Sequence, residues 1–105
     1  MRYLLDENKK PYPVSIEESF KLYDDLDMKI VKSEYLDNEN VRVSTVFLGY
    51  NAAYYGAEDK PLFFETMVFG GAYDDYMVRY ETYQEAVDGH NEIVNKIKSK
   101  LNASL

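Results

Sequence analysis

The chain has 105 residues, a formal net charge of -7 from 12 basic and 19 acidic side chains, no cysteine and no tryptophan. Without a thiol there is no disulfide framework, thiolate metal site, CxxC redox pair or cysteine nucleophile, and 46% hydrophobic residues argue against intrinsic disorder. A chain of this size buries roughly two thirds of its unfolded surface, enough for one core, so residues 1–105 are expected to form a single domain.

Residues 2 to 14 can form a short hairpin turning at Asp6 to Lys10. Ser15-Ile16-Glu17-Glu18 is a capping box that opens a helix running to roughly residue 26, with Ile16, Phe20 and Tyr23 as its apolar stripe and Leu22 and Leu26 widening it. A strand is predicted from Met28 to Leu36, with Met28 and Ile30 on one face and Val31 and Tyr35 on the other, ending at the turn formers Asp37 to Asn40. Val41 to Leu48 is rich in β-branched residues and reads as a second strand closed by Gly49. Pro61 to Phe69 is apolar on both faces, the pattern of a strand that is central or covered on both sides, and Gly70-Gly71 stops it. A short strand from Met77 to Tyr80 precedes a second capping box, Thr82 to Glu85, and a final helix on which Ala86, His90, Ile93, Val94, Ile97 and Leu101 recur at spacings of three and four. That order predicts an α+β fold: an antiparallel meander of three to four strands with two amphipathic helices packed on one face.

The charge is unevenly spread. Residues 50 to 92 hold nine acids against Lys60 and Arg79, whereas residues 93 to 105 hold three lysines and no acid. The acidic stretch makes direct nucleic-acid binding a poor expectation, and Lys96, Lys98 and Lys100 suit the negative end of a helix dipole. No apolar run is long enough for a signal peptide or a membrane span, which places the chain in the host-cell cytoplasm and away from membranes.

Few residues carry a chemical signature. His90, the only histidine, lies on the apolar stripe of the last helix and lacks the spacing of a metal site. Glu65 interrupts an apolar strand. One reading pairs Glu65 with His90 as a buried structural contact or with Arg42 or Arg79 as an ion pair; the other makes Glu65 and His90 an acid–base pair with Arg79 as an anion clamp. Asp74-Asp75 and Asp24-Asp25 lack the alternating oxygens and sharp-turn glycine of a calcium loop, and Gly70-Gly71 is followed by no phosphate-binding pattern, so neither metal nor cofactor is expected.

Tyrosine is the unusual feature: seven of 11 (Tyr50, Tyr54, Tyr55, Tyr73, Tyr76, Tyr80 and Tyr83) fall between residues 50 and 83. Tyrosine joins a large contact area to a hydrogen-bonding tip, so Tyr50, Tyr54, Tyr55, Tyr73 and Tyr76 with Asp74 and Asp75 are candidates for a partner surface; the same rings can instead pack over a sheet edge.

The segments Val43-Ser44-Thr45-Val46-Phe47-Leu48-Gly49, Leu62 to Gly71, Arg79-Tyr80-x-Thr82 and Glu85-Ala86-x-x-Gly89-His90 resemble a family of small phage and prophage proteins of uncharacterised function. Tyr50-Asn51-Ala52-Ala53 stands where that pattern has a loop with Asp-His, and Tyr83-Gln84 stands where it has a tryptophan. The resemblance implies a mobile-element origin and supplies no catalytic residues. Together these features suggest a non-catalytic, phage-encoded protein that binds a host or phage macromolecule, with an inhibitor of a host defence system, such as an anti-CRISPR-type protein, as one form. A charge surplus of seven matches only roughly 12 Å of duplex, so nucleic-acid mimicry is not forced. The alternatives are a small enzyme using Glu65 and His90, or a structural homo-oligomer.

Overall fold

The computed structural model describes residues 1–53 and 60–103; the candidates Tyr54 and Tyr55 lie outside them. The Asp6 carboxylate accepts the backbone N–H of Asn8 at 2.8 Å and of Lys10 at 2.9 Å, closing the turn that joins β1 (Arg2–Leu5) to β2 (Pro11–Val14) as an antiparallel hairpin. The Ser15 hydroxyl then accepts Glu18 N–H at 3.1 Å, as the capping box requires. Beyond this cap the chain forms a short bent helix, α1 (Ile16–Ser19) and α2 (Lys21–Asp24), with a 3-10 turn at Leu26–Met28.

The main sheet is a four-stranded antiparallel meander in the order β3 (Ile30–Leu36), β4 (Val41–Phe47), β5 (Phe64–Phe69) and β6 (Met77–Tyr80). β5 is therefore central, between β4 and β6. Helix α3 (Tyr83–Ala103) starts at the second capping box, where Thr82 Oγ1 accepts Glu85 N–H at 3.1 Å and the Glu85 carboxylate accepts Thr82 N–H at 3.2 Å. It lies across one face of all four strands. The expected α+β architecture is thus the observed one.

Strand parity decides what α3 covers. Val41, Val43, Thr45 and Phe47 of β4 and Phe64, Thr66 and Val68 of β5 are buried beneath Ala86, His90, Ile93, Val94 and Ile97. The core has two parts: Val41, Val43 and Val68 meet the distal half of α3, while Phe47 and Phe64 meet Ala86, Leu4, Leu22 and Phe63. The N-terminal hairpin and bent helix therefore cap one end of the sandwich.

Two expectations about faces fail. Ile16, Phe20 and Tyr23 do fall on one side of the bent helix, but that side is exposed at 65%, 52% and 67%; the buried positions are Ser19 and Leu22. Small residues set this orientation: Ser19 lets the helix approach closely, and Leu22 sits where a Cβ on Gly49 would be, 2.7 Å from its Cδ1. In β3, a bulge between Ile30 and Lys32 reverses the alternation, so Val31 packs on the core while Tyr35 faces out.

Candidate functional site

The sheet–α3 interface contains a continuous chain of polar side chains. Thr45 of β4 and Thr66 of β5 sit directly opposite in the register, and their hydroxyl oxygens are 2.5 Å apart. Thr45 Oγ1 lies 2.7 Å from His90 Nδ1, and His90 Nε2 lies 2.8 Å from Glu34 Oε1. At the other end, the Tyr80 hydroxyl donates to Thr66 Oγ1 at 3.1 Å. Gly89 makes room for that ring, since a Cβ there would overlap Tyr80.

One proton arrangement satisfies every link. A carboxylate at Glu34 only accepts, so His90 Nε2–H donates to it and the lone pair on Nδ1 accepts from Thr45. Thr66 then donates to Thr45, and Tyr80 to Thr66, so all donors point the same way. Burial pushes His90 below its usual 6.5, with the Glu34 carboxylate offsetting part of the shift, and burial also lifts the Tyr80 phenol above 10.0. At neutral pH the chain is therefore Tyr–OH, Thr–OH, Thr–OH, neutral imidazole and carboxylate. Among the described residues no buried side-chain polar atom lacks a partner.

Threonine, histidine and glutamate in this order resemble a hydrolase relay, but reaction requires a substrate atom within reach of Thr45 Oγ1. Thr45, Thr66 and His90 are all 0% exposed. The arrangement holds the sheet to the helix. It also makes stability depend on pH: between 6.5 and its lower folded value, His90 binds more protons in the unfolded chain. Its contribution to stability is complete above that window and is lost as pH falls through it. The urea midpoint should thus fall as the pH drops below about 6.5, a step traceable to this single histidine, and His90→Gln should flatten it.

Glu65 does not join His90. It belongs to the opposite parity of β5, and its Oε2 pairs with Arg79 Nε at 2.9 Å on the outward sheet face. Glu65, Arg79 and His90 therefore form no common acid–base site. The imidazole's actual carboxylate, Glu34, is hidden from a reading of the sequence because the β3 bulge shifts its face. Thr45 and Thr66 do have a sequence signal: each is a polar residue in the inward parity of an otherwise apolar strand, across from a histidine on the facing helix stripe.

The tyrosine candidates are divided. Tyr50 lies beyond the end of β4, level with the start of β5, whereas Tyr73, Asp74, Asp75 and Tyr76 occupy the β5–β6 turn at the other end of the sheet. Six residues of extended β5 separate them by roughly 20 Å. Tyr73 is half-buried, meets Tyr76 edge-on with ring centroids at 6.3 Å, and has the Lys100 ammonium 5.5 Å from its own centroid. Asp74 accepts Gly70 N–H at 2.7 Å, and both aspartates are exposed. These residues build the turn, and Tyr73 lines a cavity of about 140 Å³ with Val41, Gly71, Ile97 and Leu101. They do not merge with Tyr50 into one patch.

What stands exposed instead is Ile16, Phe20 and Tyr23, within two helical turns, with the Phe20 and Tyr23 rings 6.4 Å apart. The same stretch is rich in exposed acids, Glu17, Glu18, Asp24, Asp25 and Asp27, with Lys21 among them and Arg2 and Lys29 beside Tyr23. Among the described residues no group of acids and histidine could hold a metal ion, and no helix is long and apolar enough to cross a membrane. No family model, curated protein or solved structure matches the chain.

Proposed function

We propose that the chain is a non-catalytic binding protein whose partner docks on the exposed patch of Ile16, Phe20 and Tyr23. The observation that carries this reading is the outward orientation of three large apolar side chains on a helix whose inner side is already filled by Ser19 and Leu22. Exposed aromatics in a stretch with an excess of acids provide anchors, with the charge excess steering encounter. The partner surface that fits is an apolar pocket bordered by lysine and arginine. In the mobile-element setting that the resemblance implies, such a partner is a host or phage protein, and nucleic-acid-processing defence enzymes are basic enough to qualify.

Capture from host lysate with tagged wild type, then affinity measurement on the protein recovered, tests the patch. The double change Phe20→Ser and Tyr23→Ser should weaken binding by more than ~2 kcal/mol, mostly through faster dissociation, with the far-ultraviolet spectrum unchanged. Equal affinity for wild type and variant would move the docking site elsewhere.

A further inference from the structure

We propose that the cavity under the last turns of α3 is a binding site for a free α-amino acid with a large apolar side chain. It lies at the end of the sheet away from the bent helix, between the β3–β4 turn, the β5–β6 turn and Ile97 and Leu101 of α3. Ile16, Phe20 and Tyr23 do not line it.

Volume and lining set the apolar part of the ligand. About 140 Å³ is open beside Val41, Ala72, Tyr73, Ile97 and Leu101. Protein interiors rarely leave a void larger than a water molecule, and an apolar cavity of ~150 Å³ takes up benzene rather than water. A single aromatic ring or a branched aliphatic chain therefore fits this one. The walls are preformed. Gly70 and Gly71 have φ of 88° and 74°, and a Cβ on Gly71 would come within 2.8 Å of Val41 Cγ2, so glycine lets the β5–β6 turn close down on β4. Asp74 Oδ1 holds that turn by accepting Gly70 N–H at 2.7 Å. Across the cavity, Asp37, Asn38 and Glu39 build the β3–β4 turn from three successive left-handed residues. Fixed walls lower the ordering cost of binding.

Charge sets the polar part. Two ionic side chains of opposite sign line the cavity, Asp37 from the β3–β4 turn and Lys100 from α3, and both are exposed at its mouth. The Lys100 ammonium lies 5.5 Å from the Tyr73 centroid, which keeps it beside the apolar wall. Asp37 is in no ion pair among the described residues. A simple anion would meet Asp37 and a simple cation would meet Lys100. A free amino acid carries both charges on one carbon, so its carboxylate faces Lys100, its ammonium faces Asp37 and its side chain enters the cavity. Opposite charges on apposed elements thus select a zwitterion over either ion alone.

Methyl carbon–proton NMR of the full chain, titrated with L-phenylalanine, tests the site. Shifts should centre on Val41, Ile97 and Leu101 and saturate with a dissociation constant at or below ~1 mM, within reach of a ligand this small. Phenylpropionate, which lacks the ammonium, and phenethylamine, which lacks the carboxylate, should each bind about 10-fold more weakly or worse. Asp37→Asn keeps a residue that tolerates the left-handed turn and should cost about 10-fold in affinity. Ala72→Leu, a change at an exposed position, should abolish the shifts by occupying the volume; should it fail to fold, Lys100→Gln takes its place with a loss of about 10-fold. No saturable shift with phenylalanine, leucine or isoleucine up to ~10 mM overturns the proposal. So do analogues that bind as tightly as phenylalanine, or variants that bind as wild type does. The titration involves no macromolecular partner, so its failure leaves the docking assignment standing, and the reverse also holds.

Discussion

Phe64→Ala should destabilise the protein by about 3–5 kcal/mol, enough to remove much of the stability of a domain this size. Phe64 is wholly buried, and its ring lies 5.4 Å from that of Phe47 and 5.9 Å from that of Tyr83. It also shares a cluster with Leu4, Leu22 and Ala86, so the core it belongs to draws on the hairpin, the bent helix, the sheet and α3. Neighbours anchored in four different elements cannot all move inward, and most of the cavity persists. Phe69→Ala, on the same strand but exposed, removes a ring of equal size at a cost of under ~1 kcal/mol. Urea denaturation read by far-ultraviolet circular dichroism should show midpoints separated by roughly 2 M. Similar midpoints for the two would mean that the sheet does not bury Phe64 as described.

Thr45→Val should cost about 2–4 kcal/mol although it preserves shape, because it strands two groups at once. His90 Nδ1 loses its donor and the Thr66 hydroxyl loses its acceptor, both at positions that water does not reach. Thr45→Ser keeps the hydroxyl and forfeits one methyl, so it should cost about 1 kcal/mol. Nitrogen-15 shifts of the imidazole add a second readout. Wild type should show His90 protonated on Nε2 alone at neutral pH, as donation to Glu34 demands. Protonation on Nδ1 would reverse the direction of every hydroxyl in the chain and refute the arrangement.

Much of the architecture is legible in the sequence because local chemistry and global pattern agree. Both helix N-caps form at the expected residues, the Thr82–Glu85 box with both of its bonds, the turn at Asp6 is built by its own carboxylate, and the spacing along α3 from Ala86 to Leu101 marks the side that packs. The failures share one cause: apolarity alone does not say what lies opposite a face. On the bent helix the larger residues point to solvent, since Gly49 and Ser19 create a close approach that only Leu22 fills. In β3 one extra residue moves Glu34 to the helix side, where it meets His90. The tyrosines are contiguous in sequence, but β5 carries the chain from one end of the sheet to the other between Tyr50 and Tyr73. Thr45, Thr66, Tyr80, Gly89 and His90, far apart in sequence, all lie in or against the buried polar chain.

The N-terminal hairpin bears on the order of assembly. Tyr3 N–H bonds to Gly49 O at 2.9 Å, and the Tyr3 ring meets Phe63 with centroids 4.7 Å apart. Each strand of the main sheet, by contrast, pairs with its neighbour in sequence. Residues 2 to 24 therefore leave the ribosome before the surface that receives them exists, and Leu4 and Leu22 wait in water until Phe47, Phe63, Phe64 and Ala86 have been made. Pairing each strand with its neighbour in sequence keeps loop closure entropically cheap, so the meander and α3 are expected to form ahead of the docking of residues 2 to 24.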